Sequence, residues 1–553
     1  YVPFLHSVPV GMLPALKEIT NDPTFLADPT IQKYEAEMRV ISDALSHGTY
    51  IGMEYGPCVE AGILANQRVV ENMFQDIVLN GMEDLMKKYR SFKLYMDVCV
   101  RCGACADKCQ FFLGTNDPKN MPVLRVELLR SLYRRDYTML GKLLGKTIGA
   151  RKLDYSVIKE LFYYAYQCTE CRRCSLFCPY GIDTAEITAL VREMLHELGL
   201  GIHWIMDPVK NCAFTGNHLG IKPHSYKEIV EMLADDCEYV TGIRPKTPFN
   251  ERGHEILFIC PSGDVFADPG IYTFMGYLIL FNELDLDYTL STYASEGGNF
   301  GSFVSFNMAK KLNAKMYEEA ERLGVKWILG GECGHMWRVV NQYMATYNGP
   351  TPPNMQTPVS PITGTVFKNA AATKMVHIAE FEADLIKHNK LKLDPSRNDD
   401  LICTWHDSCN PARAMGLLDE PRYVLKHCVN HFYEMPENTI REQTFCCGAG
   451  SGLNTEEIME LRMRSGMPRG NALRYVQQKY GVNRMACCCA IDRATLPPLA
   501  NYWAPGVTVS GLTELLANAL VLKNGPKRTM NLRQEDLPLL DEEEAPADGK
   551  EGE

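Results

Sequence analysis

Cys99, Cys102, Cys105 and Cys109 form CxxCxxCxxxC, and Cys168, Cys171, Cys174 and Cys178 repeat it, the second copy closing on Cys178-Pro179. No other feature restricts the chain so tightly. Three thiolates on a tight loop can wrap three irons of a cube, while the fourth, on the following segment, points away and in two-cluster ferredoxins ligates the other cluster. The expected ligand sets are therefore crossed. Cys99, Cys102, Cys105 and Cys178 hold one cubane [4Fe-4S] cluster, and Cys168, Cys171, Cys174 and Cys109 hold the other, close enough for electron tunnelling. Gln110 stands where Pro often follows the fourth Cys, which changes backbone shape and no ligand. Zinc sites use paired CxxC knuckles and only four sulfurs, so eight thiolates in this doubled spacing argue against zinc.

The remaining thiols also point to metal. The 553-residue chain has 21 cysteines and no secretion signal in its opening YVPFLHSVPVGMLPALKEI, which excludes a disulfide scaffold and suggests a cytoplasmic setting. A lone Cys such as Cys58 reads as packing. The net charge of -11 disfavours a nucleic-acid partner, and no run of 18 apolar residues offers a membrane span.

The fold class expected is α+β and multidomain. Residues 1–95 read as a helical extension and 96–205 as the double-cluster module, braced by helices in PVLRVELLRSLYRRDYTMLGKLLG and YSVIKELFYYAYQ. A connector with several Pro and Gly spans 206–254. From Glu255 onward, short apolar runs alternate with helical stretches, the pattern of α/β structure with mainly parallel strands. This part looks duplicated: EILFICPSGD, STYASEGGNF and VKWILGGECG are followed in the same order by DLICTWHDSC, EQTFCCGAGSG and NRMACCCAID. The lobes are 255–395 and 396–524, and 525–553 reads as an acidic solvated tail.

The second lobe holds a third cysteine group: Cys409, then the pair Cys446-Cys447 before Gly448, then the triplet Cys487-Cys488-Cys489. Adjacent cysteines bind one iron together poorly but can serve neighbouring irons, so the site expected is multi-iron. A Cys, a distant CCG and a closing cysteine group resemble the CCG domain of the heterodisulfide reductase family. A double-cluster module fused ahead of two such domains resembles the HdrD type of subunit, and with the N-terminal extension the DsrK group in the DsrMKJOP complexes of sulfur-metabolising microbes.

That resemblance implies a non-cubane [4Fe-4S] cluster held by Cys409, Cys446, Cys447 and members of the triplet. The family closes the site with CxxC; here Ala486 occupies the place of the first of those cysteines, which leaves open which two of Cys487, Cys488 and Cys489 ligate. In the first lobe Glu296-Gly297-Gly298 stands where paired cysteines belong, leaving Cys260 and Cys333, too few for a cluster. Either this lobe only covers the site, or Cys333 contacts the cluster or the sulfur substrate. His406 and Asp407 are candidate proton donors, and His335 and Arg338 candidate anchors for an anionic tail; each also has an ordinary structural reading. The Gly448–Gly452 run fails as a dinucleotide loop and instead lets backbone approach cluster sulfurs.

The resemblance further implies an iron–sulfur oxidoreductase peripheral to the cytoplasmic face of a membrane. Electrons from a cytochrome b-type (DsrM-like) subunit would cross the two cubes to reduce a disulfide or trisulfide of a small DsrC-like protein, in dissimilatory sulfur metabolism. An alternative is the relay subunit of a flavin-dependent glycolate or glycerol-3-phosphate dehydrogenase, which joins the same modules.

Overall fold

The computed structural model describes residues 67–197, 203–296, 298–348, 351–454, 458–524 and 532–533. Most of the 1–95 extension, including Cys58, and nearly all of the acidic tail lie outside these residues.

The double-motif region is helical. Helix Pro122–Tyr137 starts with Pro at its first position and follows the first motif, and Tyr155–Ala165, capped by the Asp154 carboxylate accepting from Val157 N–H, leads into the second. Thr184–Glu197 follows it and packs on both. Leu129, Leu132, Val157, Phe162, Leu190 and Met194 form the interior of this bundle together with Phe92 and Met96 of the preceding helix Arg90–Val98.

Beyond residue 255, short buried runs pair into two four-stranded sheets, and every pairing is parallel. The first sheet has the order β2-β1-β3-β4, with β1 Ile256–Ile259, β2 Tyr288–Leu290, β3 Trp327–Gly330 and β4 Met375–His377. The second has β6-β5-β7-β8, with β5 Ile402–His406, β6 His431–Phe432, β7 Arg484–Cys487 and β8 Thr508–Gly511. The two orders are the same when read in chain sequence. Strands buried on both faces need helices on each side, and they have them.

The lobes pack face to face through helices Gly270–Glu283 and Leu512–Ala519. Gly276 permits this approach: a Cβ there would lie 2.8 Å from the Thr513 carbonyl oxygen. The span expected to be a connector is largely helix Pro223–Thr241. Tyr226, Val230, Leu233, Ala234 and Cys237 recur at helical spacing and enter the core of the first lobe. Among the described residues no helix is long and apolar enough to cross a membrane.

Candidate iron–sulfur centres

Both sequence motifs fold as loops with left-handed residues that turn successive thiols inward. Arg101 and Gly103 have φ of 57° and 79° in the first, and Glu170 and Arg172 have φ of 52° and 59° in the second. One cavity is lined by Cys99, Cys102 and Cys105 of the first motif and Cys178 of the second, walled by Pro122, Val123, Val126 and Ile182. Burial pushes the Cys105 thiol up to about 11, and Cys178 and Cys99 add to that. Cys109 belongs to the other group. The charges of Cys171, Cys109 and Cys168 all bear on Cys174, whose thiol burial pushes well up.

These groups suit iron–sulfur cubes. The cysteines are all free thiols, and each group gathers four of them, the ligand number of a cube. The buried Arg125 guanidinium faces Cys168, Cys109 and Cys174, positive charge where an anionic cluster needs it. Glu170 N–H donates to Cys168 Sγ at 3.4 Å. Among the described residues no three His, Cys, Asp or Glu side chains close on one point as a mononuclear ion requires. Thiolates that each take one iron of a cube stand further apart.

The third cysteine group lies directly behind the second. Cys409 Sγ is 3.9 Å from Cys446 Sγ, which is 3.9 Å from Cys447 Sγ, and Gly448 N–H points at Cys446 Sγ from 3.5 Å. Gly448 holds φ of 92°, open only to glycine at low cost. Bonds from Cys409 and Cys447 lower the Cys446 thiol well below its usual value. Of the triplet, Cys489 meets Cys333, whose thiol the Cys489 hydrogen bond and burial push well up. Cys487 faces the Ser510 carbonyl at 3.7 Å within the sheet, and Cys488 packs in the interlobe core.

Cys171 connects the second group with the third: Cys446 is the first neighbouring charge to act on its thiol, and Cys171 in turn acts on Cys409. Arg413 of the second lobe donates to the Cys171 carbonyl and to Glu442 O and Thr444 O, and Arg173 lies 3.8 Å over the Phe445 ring. Arg192, fully buried, donates to the carbonyls of Ala165, Cys168, Phe303 and Ser451. One side chain thereby ties the motif helices to both lobes.

The weaker candidates divide. His406 is buried, with Nε2 3.5 Å from Asp492 Oδ2, and Asp492 also accepts from Ser408. Burial raises Asp407, but two bonds from Arg422, at 2.6 and 2.7 Å, outweigh it and hold the carboxyl below its usual value, so it is an anchor. Burial pushes the His335 ring down to about 3, so it is neutral beside Cys446. Arg338 donates to Asn410 Oδ1 at 2.7 Å, joining the helix after Cys333 to the turn after Cys409. Gly334 makes this junction possible, since a Cβ there would collide with Pro411 Cδ.

Residues that sequence reading missed sit in the first lobe. Ser262 comes three residues after the Ile259–Gly330 rung, as Cys409 comes three after His406–Cys487, and Glu332 comes two after Gly330, as Cys489 comes two after Cys487. Ser262 bonds Glu296, and His218 Nδ1 lies 2.6 Å from Glu296 Oε1 and 2.7 Å from Ser262 Oγ. Glu332 pairs with Arg493 at 2.6 Å and accepts from Leu512 and Thr513 N–H, while Arg493 also holds Asp264 at 2.5 Å. Oxygens stand where the second lobe has sulfurs. The duplicated motifs carry a signal for Glu296; nothing in the sequence marks His218.

The comparisons agree with this geometry. Residues 95–182 match the 4Fe-4S dicluster domain family. The chain is 49% identical over 84% of its length, and 87% of the relative's, to the Hdr-like menaquinol oxidoreductase iron-sulfur subunit 2 of Archaeoglobus fulgidus. It is 49% identical to the corresponding subunit of Archaeoglobus profundus, covering 86% and 88%. A subunit of the dihydromethanophenazine:CoB--CoM heterodisulfide reductase of Methanosarcina mazei is 24% identical over 77% of this chain and 95% of its own. No solved structure matches. With 49% identity across most of both chains, and a dicluster domain where the two cysteine motifs lie, the protein belongs to the family of Hdr-like iron–sulfur oxidoreductase subunits.

Proposed function

We propose that the chain carries electrons from a quinol-oxidising, cytochrome b-type (DsrM-like) membrane subunit, on the cytoplasmic face, to a site that reduces a disulfide or trisulfide of a DsrC-like protein in dissimilatory sulfur metabolism. The observation that carries this reading is the order of the three sulfur groups. The first has Cys102 exposed, the second has Cys168 buried and its other three half-buried, and the third, with all its cysteines buried, is reached from the second through Cys171 and Cys446.

Residues 96–205 are the double-cluster module, with crossed ligand sets. The lobes 255–395 and 396–524 are a duplicated CCG pair, as their common strand order supports. Cys409, Cys446 and Cys447, with Cys489 from the triplet, hold a non-cubane [4Fe-4S] cluster, and Cys333 faces it from the first lobe. When bound, the cubes supply one-electron carriers and the third cluster a place where two electrons meet a sulfur–sulfur bond. The chain's own part is to keep these centres in line. Arg192 and Arg413 fix the module against the lobes, burial excludes water, and Gly448 N–H turns toward the Cys446 sulfur.

Iron and sulfide determination on anaerobically purified protein tests the reading. Cys447→Ala is expected to lose the third cluster and keep about eight irons. EPR of the oxidised wild type with a cysteine-tailed protein added is expected to show a new paramagnetic signal. Unchanged iron in Cys447→Ala, or no new signal, overturns the reading.

A further inference from the structure

We propose that His218, Glu296 and Ser262 form a proton relay in the first lobe that serves the sulfur released at the third site. It rests on the disulfide-reducing reading above. Three observations support it.

Ser262 and Glu296 take positions that correspond to Cys409 and Cys446, so the first lobe has kept the site's shape and changed its chemistry. The trio spans inside to outside. Ser262 and the Glu296 side chain are 0% and 3% exposed, while the His218 side chain is 22% exposed and stacks on Phe300 with centroids 4.9 Å apart. The inner end lies beside the sulfur site: a Cβ on Gly263, next to Ser262, would be 3.9 Å from Ala490 Cβ, the residue after Cys489, and the Glu296 charge bears on Cys333.

The arrangement is not that of a nucleophilic triad. Both Ser262 and Glu296 meet His218 at Nδ1, so Nε2 does not bond the serine as a general base must. Instead, the short Glu296–His218 contact is an ion pair: burial opposes charge on the imidazole, and the Glu296 charge and bond outweigh it and raise the group. Other titratable groups around Glu296 are Cys212, Cys260, Cys333, Tyr226 and Asp264. Lys315 also faces Cys212, but its ammonium is bound by the Ala213 carbonyl.

Cleaving RS–SR′ consumes two electrons and two protons and yields RSH and R′SH. The electrons come from the quinol-class donor through the iron–sulfur relay. For each proton, the His218 imidazolium passes Nδ1–H to the Glu296 carboxylate, which Ser262 O–H holds in place, Glu296 passes it on to the released thiolate, and His218 is recharged by solvent. Two passes complete the reaction.

The test uses the complete complex under anaerobic conditions with a cysteine-tailed disulfide protein. His218→Ala is expected to lower turnover about 100-fold, the scale of general acid catalysis, and added imidazole is expected to restore part of it. Glu296→Gln is expected to give a similar loss that imidazole does not restore, with a pH profile shifted to lower pH. EPR of all three centres is expected to match the wild type in both. If His218→Ala does not assemble, His218→Gln and the solvent deuterium isotope effect carry the test, the effect rising from wild type to variant as proton delivery comes to limit turnover. Unchanged turnover and pH profile, or a loss with wild-type EPR that imidazole leaves untouched in His218→Ala, overturns the relay. Absence of a third-site signal in the unsubstituted complex instead overturns the disulfide-reducing reading, and the relay with it.

Discussion

The two lobes share an all-parallel sheet with one strand order, yet the loops that follow corresponding strands carry opposite chemistry. In the second lobe these loops bring Cys409, Cys446 and Cys447 within sulfur contact. In the first, Ser262, Glu296 and Glu332 stand at the places of Cys409, Cys446 and Cys489, and each of these side chains has a hydrogen-bonding or ionic partner. Soft thiolates select iron–sulfur chemistry, whereas buried carboxylates must be paired with cations or protons. A fold therefore fixes where a site can be, while side chains at a few loop positions decide whether metal or protons occupy it.

Substitutions can break or sharpen that contrast. The largest effect is expected for Cys446→Ser. It removes the sulfur that touches both neighbours, and disulfide turnover is expected to fall by more than the roughly 10–100-fold typical of losing an outer partner of a metal site, with the two cubes intact by EPR. Retained turnover would mean that the second lobe is no more a metal site than the first.

Next is Arg493→Met, which strands two buried carboxylates, Asp264 and Glu332, at the lobe interface. A loss of about 3–5 kcal/mol in denaturant unfolding is expected, since one partner of a buried pair leaves an uncompensated charge. A loss below about 1 kcal/mol would show that the first-lobe oxygens do not depend on this cation.

The first lobe also carries an acid-sensitive histidine. Burial, aided by Arg493, pushes His377 down to about 3, and its Nδ1 accepts Ala379 N–H as a helix cap. An unfolded His takes up a proton below about 6.5 while the folded one stays neutral, so stability present above that pH is lost as pH falls. Between pH 7 and 5, His377→Asn, which keeps a capping oxygen, is expected to lose about 2 kcal/mol less than wild type in urea unfolding. Equal losses would contradict the assignment.

The smallest effect is expected at the packed helix faces. Gly276→Ala crowds the Thr513 backbone and is expected to cost about 1–2 kcal/mol, read by thermal unfolding. Gly263→Ala meets only Ala490 Cβ at 3.9 Å and is expected to change stability by less than about 0.5 kcal/mol.

The cluster motifs were the most legible part of the chain because their signal is local. Loop spacing alone predicts that Cys99, Cys102 and Cys105 turn toward one centre, and Cys178 lines the same cavity. Parallel strands were legible in short apolar runs for the same reason. The helix Pro223–Thr241 was less so, since Pro and Gly at its flanks suggested a connector and only its fit against the first lobe reveals its buried stripe. The triplet could not be resolved from sequence. Its three cysteines are identical letters, and their different neighbours come from the strand end at Cys487, after which Cys489 turns toward Cys333 of the other lobe.

By itself the sequence determined which groups of thiols exist, how they are spaced, and that the first lobe lacks a full set of sulfurs. Those facts live in spacing and residue type, which the chain carries without folding. Only the tertiary structure decided that Cys171 lies within reach of the Cys446 charge, that Cys333 meets Cys489, and that His218 reaches Glu296 and Ser262. These contacts join residues far apart in the chain, and such distances are set by how the helices and sheets pack.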